Sequence, residues 1–314
     1  MNYREISNLV EFNEKYESKN FIVNEVFEDL KSNISSASHI AFSYSYLYLV
    51  QWLYRQAKYF NVKETIDNSK LKEILGYDKN NRTVNYLIKK DGLLDKINYL
   101  ETTRDYPVSW TFTKDEPLEF LMSSDLDFEE GKEYLPTMPK RFYLKKPLKG
   151  FDDRTVVIKG EETEASGVFY QIDCTHNIPF EVFMYCMSKE DLGCVAFYLY
   201  SYLKHRNDIH VSGVDVSLDN LAKETGISRR TVNKYIGLLK SYKMIDFKHN
   251  QEFFVIGMAE GDRMSNTYIT RDYDFFSEEH VPYHRIEVKS NEFYVDYLKG
   301  REEMTDYIEN QMPF

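Results

Sequence analysis

Arg229, Arg230, Asn233 and Lys234 open a segment whose apolar residues recur at helical spacing. Val232, Ile236 and Leu239 make the inward stripe, which sends those four polar side chains to the outward face. Arginine and asparagine match the hydrogen-bonding edges of guanine and adenine in a DNA major groove. Ser228 precedes the first helical residue and can cap it. Upstream, Leu218, Leu221 and Ala222 form a shorter apolar stripe. Small Ala222 allows two helices to approach closely, and Gly226 supplies the backbone freedom of a sharp turn between them. Catalytic patterns do not compete with this reading. The chain has no G-x-x-x-x-G-K loop, no His-x-His pair and no G-x-S-x-G elbow. Cys174, Cys186 and Cys194 have no metal-site spacing, and Cys174-Thr175-His176 stands isolated and reads as structural. Tyr294 and Tyr297 near Lys299 read as packing residues, because a nicking tyrosine needs a metal site. The expectation is a non-enzyme with no cofactor and no bound metal.

Two helices in this arrangement form a helix-turn-helix whose recognition helix spans 228–242. Residues 239–247 end that helix and open a strand, Gln251 to Ile256 is a second strand, and Ser265 to Ile269 is a third. The last two, with a glycine-containing connection between them, predict a hairpin. Lys248, His249 and Arg263 flank these strands, where they can touch phosphates. The segment from Val168 to Arg206 completes the unit with a strand at 168–172 and a helix carrying Phe197, Tyr198, Leu199, Tyr202 and Leu203. A helix-turn-helix followed by a hairpin resembles the winged-helix superfamily.

The tetrapeptide Arg82-Thr83-Val84-Asn85 recurs as Arg230-Thr231-Val232-Asn233. Its surroundings repeat as well. Tyr46 to Tyr54 matches the aromatic helix around Phe197, and Ser69 to Gly76 matches Ser217 to Gly226. A second recognition helix would carry Arg82, Asn85 and Lys89. A hairpin of 98–103 with 107–113 would follow, with Arg104, Asp105 and Tyr106 at its tip. The repeat predicts an α+β fold of two tandem winged helices with a strand-containing junction. The expected division is an acidic helical segment at 1–36, a first winged helix at 37–122 and a junction at 123–164. A second winged helix at 165–271 and an acidic C-terminal segment at 272–314 complete it. The first copy departs from the pattern: Lys72 replaces Ala222, and the turn before Arg82 is longer. Base reading, dimerisation and phosphate contact all remain open for it.

The 314 residues suffice for about two domains. The 26 tyrosines and 21 phenylalanines read as core rather than as a base-stacking platform. No apolar run is long enough for a membrane span, no signal peptide is visible, and the cysteine usage suits a reducing cytoplasm. The net charge of −11 looks unfavourable for DNA, but residues 223–248 hold seven Lys/Arg against two Asp/Glu. Screening over roughly 8–10 Å makes local surface decide docking. Lys140 to Lys149 alternates cations with apolar groups, as a solvated edge strand would, or an exposed strand or linker along a phosphate backbone. Residues 161–167 read as a mobile loop, and 301–310 as an amphipathic terminal helix.

Two winged helices in one chain resemble the plasmid and phage replication initiators of Gram-positive bacteria. That resemblance implies binding to repeated duplex sites and recruitment of replication proteins, with a homodimer as a further partner. Of the residues that would do this, Arg229, Arg230, Asn233 and Lys234 carry over. A transcriptional regulator of a mobile element, working with transcription proteins, would use the same surface. A winged-helix adaptor that binds proteins is a third possibility, which the acidic total favours.

Overall fold

The computed structural model describes residues 1–59, 66–111, 119–126, 143–168, 171–258 and 262–311. The chain opens with α1 (Tyr3–Leu9), α2 (Glu14–Glu17), β1 (Lys19–Val23) and α3 (Val26–Asn33). Next come α4 (Ala37–Arg55), α5 (Asn68–Ile74), and the one-turn helices α6 (Asn85–Ile88) and α7 (Leu93–Lys96). Strands β2 (Leu100–Thr103), β3 (Pro107–Thr111), β4 (Glu119–Met122) and β5 (Leu144–Pro147) follow. The middle of the chain holds β6 (Arg154–Ile158), β7 (Glu161–Ala165), β8 (Gly167–Val168), β9 (Gln171–Ile172) and β10 (Thr175–Pro179). The second half is built from α8 (Phe180–Ser188), α9 (Gly193–Ile209), β11 (Val214–Val216), α10 (Leu218–Thr225) and α11 (Arg229–Ser241). It ends with β12 (Ile245–Lys248), β13 (Phe253–Val255), β14 (Asn266–Thr270), β15 (Glu287–Lys289) and α12 (Asn291–Gln311). The class is α+β. No helix among the described residues is long and apolar enough to cross a membrane.

A helix that is apolar all round must be covered all round. In α4 every residue from Ile40 to Arg55 is buried. Its main cover is the equivalent aromatic helix α9. Tyr48 meets Phe197 edge-on at 4.8 Å, and Tyr44 meets Tyr198 at 5.4 Å. Such contacts join both halves into a single hydrophobic cluster that runs from Ile6 to Tyr268. Buried tyrosines need partners for their hydroxyls. Tyr48 donates to the Ile178 carbonyl at 2.8 Å, Tyr198 to the Thr225 carbonyl at 3.0 Å and Tyr200 to the Arg271 carbonyl at 2.8 Å. The N-terminal segment is more than helical. Its strand β1 pairs antiparallel with β10 over the full length of both, from Lys19↔Pro179 to Val23↔Thr175. His176 of β10 lies in the core, 2.8 Å from the Tyr44 hydroxyl and 3.0 Å from Asn24 Oδ1. His176 is thus packed and hydrogen-bonded within the core.

The first half and the junction that follows depart from their expected form in three places. The helix expected to carry Arg82, Asn85 and Lys89 is a single turn, because Lys89 is already extended (φ −64°, ψ 166°) and the backbone then turns through Asp91 (φ 54°) and Gly92. A Cβ on Gly92 would stand 2.7 Å from the Lys89 carbonyl oxygen, so only glycine closes this turn. Strands β2 and β3 do not form the expected hairpin. β2 pairs with β5 and β3 with β4, both antiparallel. The buried ammonium of Lys145 holds β5 against β2 through an ion pair with Asp95 and a 2.7 Å bond to Thr102 Oγ1. Thus Lys145 is a core cation rather than a backbone-tracking one, while Lys140 and Arg141 fall outside the described residues. Finally, 161–165 is strand β7, paired with β6 through a turn at Lys159 (φ 53°) and Gly160 (φ 89°). Positive φ at both turn residues suits a two-residue hairpin, so the loop expected there is replaced by ordered strand.

Candidate nucleic-acid interface

Ser217 caps α10 by accepting the Asn220 amide, and Gly226 closes it in the left-handed region at φ 70°. A Cβ on Gly226 would also come within 2.8 Å of Ile40 Cδ1, so the turn is pressed against the start of α4. Ser228 then caps α11, its hydroxyl accepting the Thr231 amide at 3.3 Å. Val232, Ile236 and Leu239 are buried at 2% exposure or less, whereas Ser228, Arg229, Arg230, Asn233 and Lys234 are all exposed. The expected division of faces is therefore present. Around these helices, β11, β14 and β12 form a three-stranded antiparallel sheet in that order. Buried Tyr268 of β14 sits between Val214 and Phe247 in register. The hairpin thus joins β12 to β14 rather than 251–256 to 265–269. The intervening β13 pairs in parallel with β15. Its Phe253 and Val255, with Met258, are apolar and need cover, which Tyr294 and Tyr297 of α12 supply.

No protein-family model, curated protein or solved structure matches this chain.

The exposed cations differ in how free they are. Arg229 is paired with Asp219 at 2.7 Å, with both side chains 63% exposed. Arg230 has no such pair among the described residues. Lys248, at the end of β12, is exposed, whereas Arg263 turns its guanidinium back onto the Met258 carbonyl at 2.7 and 2.9 Å. In the first half, Arg82 and Lys89 are exposed but flank only the single turn of α6. Asn85 is occupied internally, since buried Lys72 donates to its Oδ1 at 2.6 Å and to the Asn81 carbonyl at 2.7 Å. Arg104 bonds the Tyr143 hydroxyl and lies over that ring. The first half therefore lacks the long outward polar face of α11.

The sequence reading missed one neighbour of α11. After β14 the chain folds back along this helix, with the Ser277 amide donating to the Tyr242 carbonyl and the Val281 amide to the Ser241 carbonyl. His280 sits 3.0 Å from both Ser241 Oγ and Asp191 Oδ2. This segment brings Tyr283, His284 and Arg285 beside Asn233, Gly237 and Lys240. The signal was the basic cluster His280, His284 and Arg285 inside an otherwise acidic tail.

Proposed function

We propose that this chain binds duplex DNA sequence-specifically, using residues 193–270 as a winged helix with α11 as the recognition helix. One observation carries the proposal: an exposed Arg229-Arg230-Asn233-Lys234 face, held outward by a buried apolar stripe and capped by Ser228. Side chains in the first two turns of such a helix are the ones that enter a major groove. The helix–strand–helix–helix–hairpin order around it supports the same reading. A tandem pair is proposed only in a reduced sense. The first half keeps the aromatic helix and the helical pair, but with Asn85 engaged by Lys72 it contributes phosphate contact or partner docking rather than base reading.

Among the uses of such a surface, we favour a replication initiator of a plasmid or other mobile element that acts by recruitment, because the helix-turn-helix pattern is repeated within one chain. Mobility shift on fragments of its own genome, followed by mapping of the bound sites, tests this. Tandem repeats at an origin, with replication of an origin-carrying plasmid dependent on the protein, support initiation. A single promoter palindrome makes it a transcriptional regulator. No shift on any fragment refutes DNA binding and leaves the adaptor.

A further inference from the structure

On α11, Asn233, Gly237 and Lys240 follow one another at i, i+4 and i+7, in line with Arg230. They form one wall of a cleft of about 450 Å³. His249 and Asn266, from the two strands of the hairpin and its connection, line it with them, as do His284 and Arg285 of the returning C-terminal segment. The absent side chain of Gly237 helps to keep the cleft open, because a Cβ there would stand 3.1 Å from the Tyr283 hydroxyl.

The cleft is cationic in an acidic protein. None of its lining residues is Asp or Glu, although the chain carries a net charge of −11. Lys240 places its ammonium 3.9 Å from the centroid of the Phe247 ring and 5.4 Å from that of Tyr268. It has no carboxylate partner among the described residues, and burial alone lowers its pKa to about 8. A half-buried cation without a counter-ion is costly, and an anion would relieve it. His249 supplies a second observation. Its Nδ1 meets Asn266 Oδ1 at 3.0 Å, while its Nε2 is buried with no hydrogen-bond partner. A guanidinium, an ammonium and two imidazoles give several donors around one space. That suits the tetrahedral oxygens of a phosphate better than a planar carboxylate.

Resting on the duplex-binding reading above, we propose that this cleft is a phosphate site which seats a backbone phosphate of the duplex that α11 reads. The C-terminal segment is then part of the interface through Arg285 and His284. Continuity with the Arg230–Asn233 face favours a backbone phosphate over a free phosphorylated small molecule.

The test uses the full chain. Arg285→Ala is expected to fold normally, since Arg285 is exposed. His249→Gln serves as a second variant that keeps a hydrogen-bonding side chain. Binding to a selected duplex and to an unrelated duplex is measured by anisotropy over a salt series. Arg285→Ala should weaken both about tenfold, as one lost charge-assisted contact would. It should also reduce the slope of log K against log salt by about one. In parallel, inorganic phosphate is titrated into DNA-free protein while histidine ring signals are followed by NMR, with chloride as control. Wild-type signals of His249 and His284 should move, and those of Arg285→Ala should move less. An unchanged salt slope with phosphate-responsive histidines overturns the duplex source in favour of a free phosphorylated ligand. An unchanged slope with unresponsive histidines overturns the site while leaving DNA binding intact. If the wild type binds no duplex, the proposed function fails, and the phosphate titration still decides the cleft.

Discussion

The geometry of α11 makes its two arginines unequal, and the inequality can be measured. Arg230 has no ion pair among the described residues, so under the proposed function Arg230→Ala should remove one base contact, worth about 1–3 kcal/mol, or roughly five- to 150-fold in affinity. Arg229 must first leave Asp219, an exposed pair held at 2.7 Å. Pairs of that kind contribute only about 0.2–1 kcal/mol. Arg229→Ala should therefore cost less than Arg230→Ala by about that amount. Asp219→Asn should raise affinity by a similar amount, roughly 1.4- to fivefold, by releasing Arg229 and removing a carboxylate from the interface. Arg230→Ala should leave the urea midpoint in place, and the two variants that break the exposed pair should lower stability by no more than about 1 kcal/mol. The assay is anisotropy against a duplex first selected from a random library, with an unrelated duplex as reference. If Arg230→Ala binds the selected duplex as tightly as wild type while its circular dichroism is unchanged, α11 does not read bases.

Further expectations follow from other parts of the chain. Lys72→Met should cost about 1–3 kcal/mol in urea denaturation, by orphaning the Asn81 carbonyl and Asn85 Oδ1, while leaving duplex affinity intact; an unchanged midpoint contradicts the role given to Lys72. His176 and His205 are both held below the ordinary histidine pKa by burial. The unfolded chain takes up these protons from about pH 6.5 downward and the native state only at lower pH, so stability is full above that pH and falls below it. For His176, held well below that value, the loss should reach about 1.4 kcal/mol per pH unit, with less from His205, and melting temperatures that stay level between pH 6.5 and 5.5 would refute it. Lys248→Ala should flatten the salt dependence of duplex binding by about one unit. Arg263→Ala should flatten it less, since its guanidinium is already bound to the Met258 carbonyl; equal slopes would overturn that ranking.

Local signals were legible where the side chains settle the matter locally. The cap at Ser228, the turn at Gly226 and the inward stripe of Val232, Ile236 and Leu239 all follow from spacing, and all are present. The aromatic helices α4 and α9 were equally plain, though not that they pack on each other. Non-local choices were hidden. Whether β2 pairs with β3 or β5 depends on a buried ion pair between Lys145 and Asp95, fifty positions apart, and a strand pattern carries no trace of it. The truncation of the first recognition helix could have been suspected at Gly92, but the four repeated residues 82–85 outweighed it. The return of 277–286 onto α11 left only a faint mark, a basic cluster in an acidic tail.

The shared aromatic core sets a timetable for the growing polypeptide. Tyr44 and Tyr48 find their ring partners at Tyr198 and Phe197, and β1 finds its strand partner at β10. About 150 residues separate each pair, which at 5–20 residues per second leaves α4 waiting roughly 8–30 s at the ribosome. Through that interval the face of α4 that α9 covers stays bare and open to chaperones or to neighbouring nascent chains. A truncated product that stops before α9 would keep this helix exposed permanently. The two halves, alike in sequence, are thus neither modules to be exchanged nor units that mature one after the other.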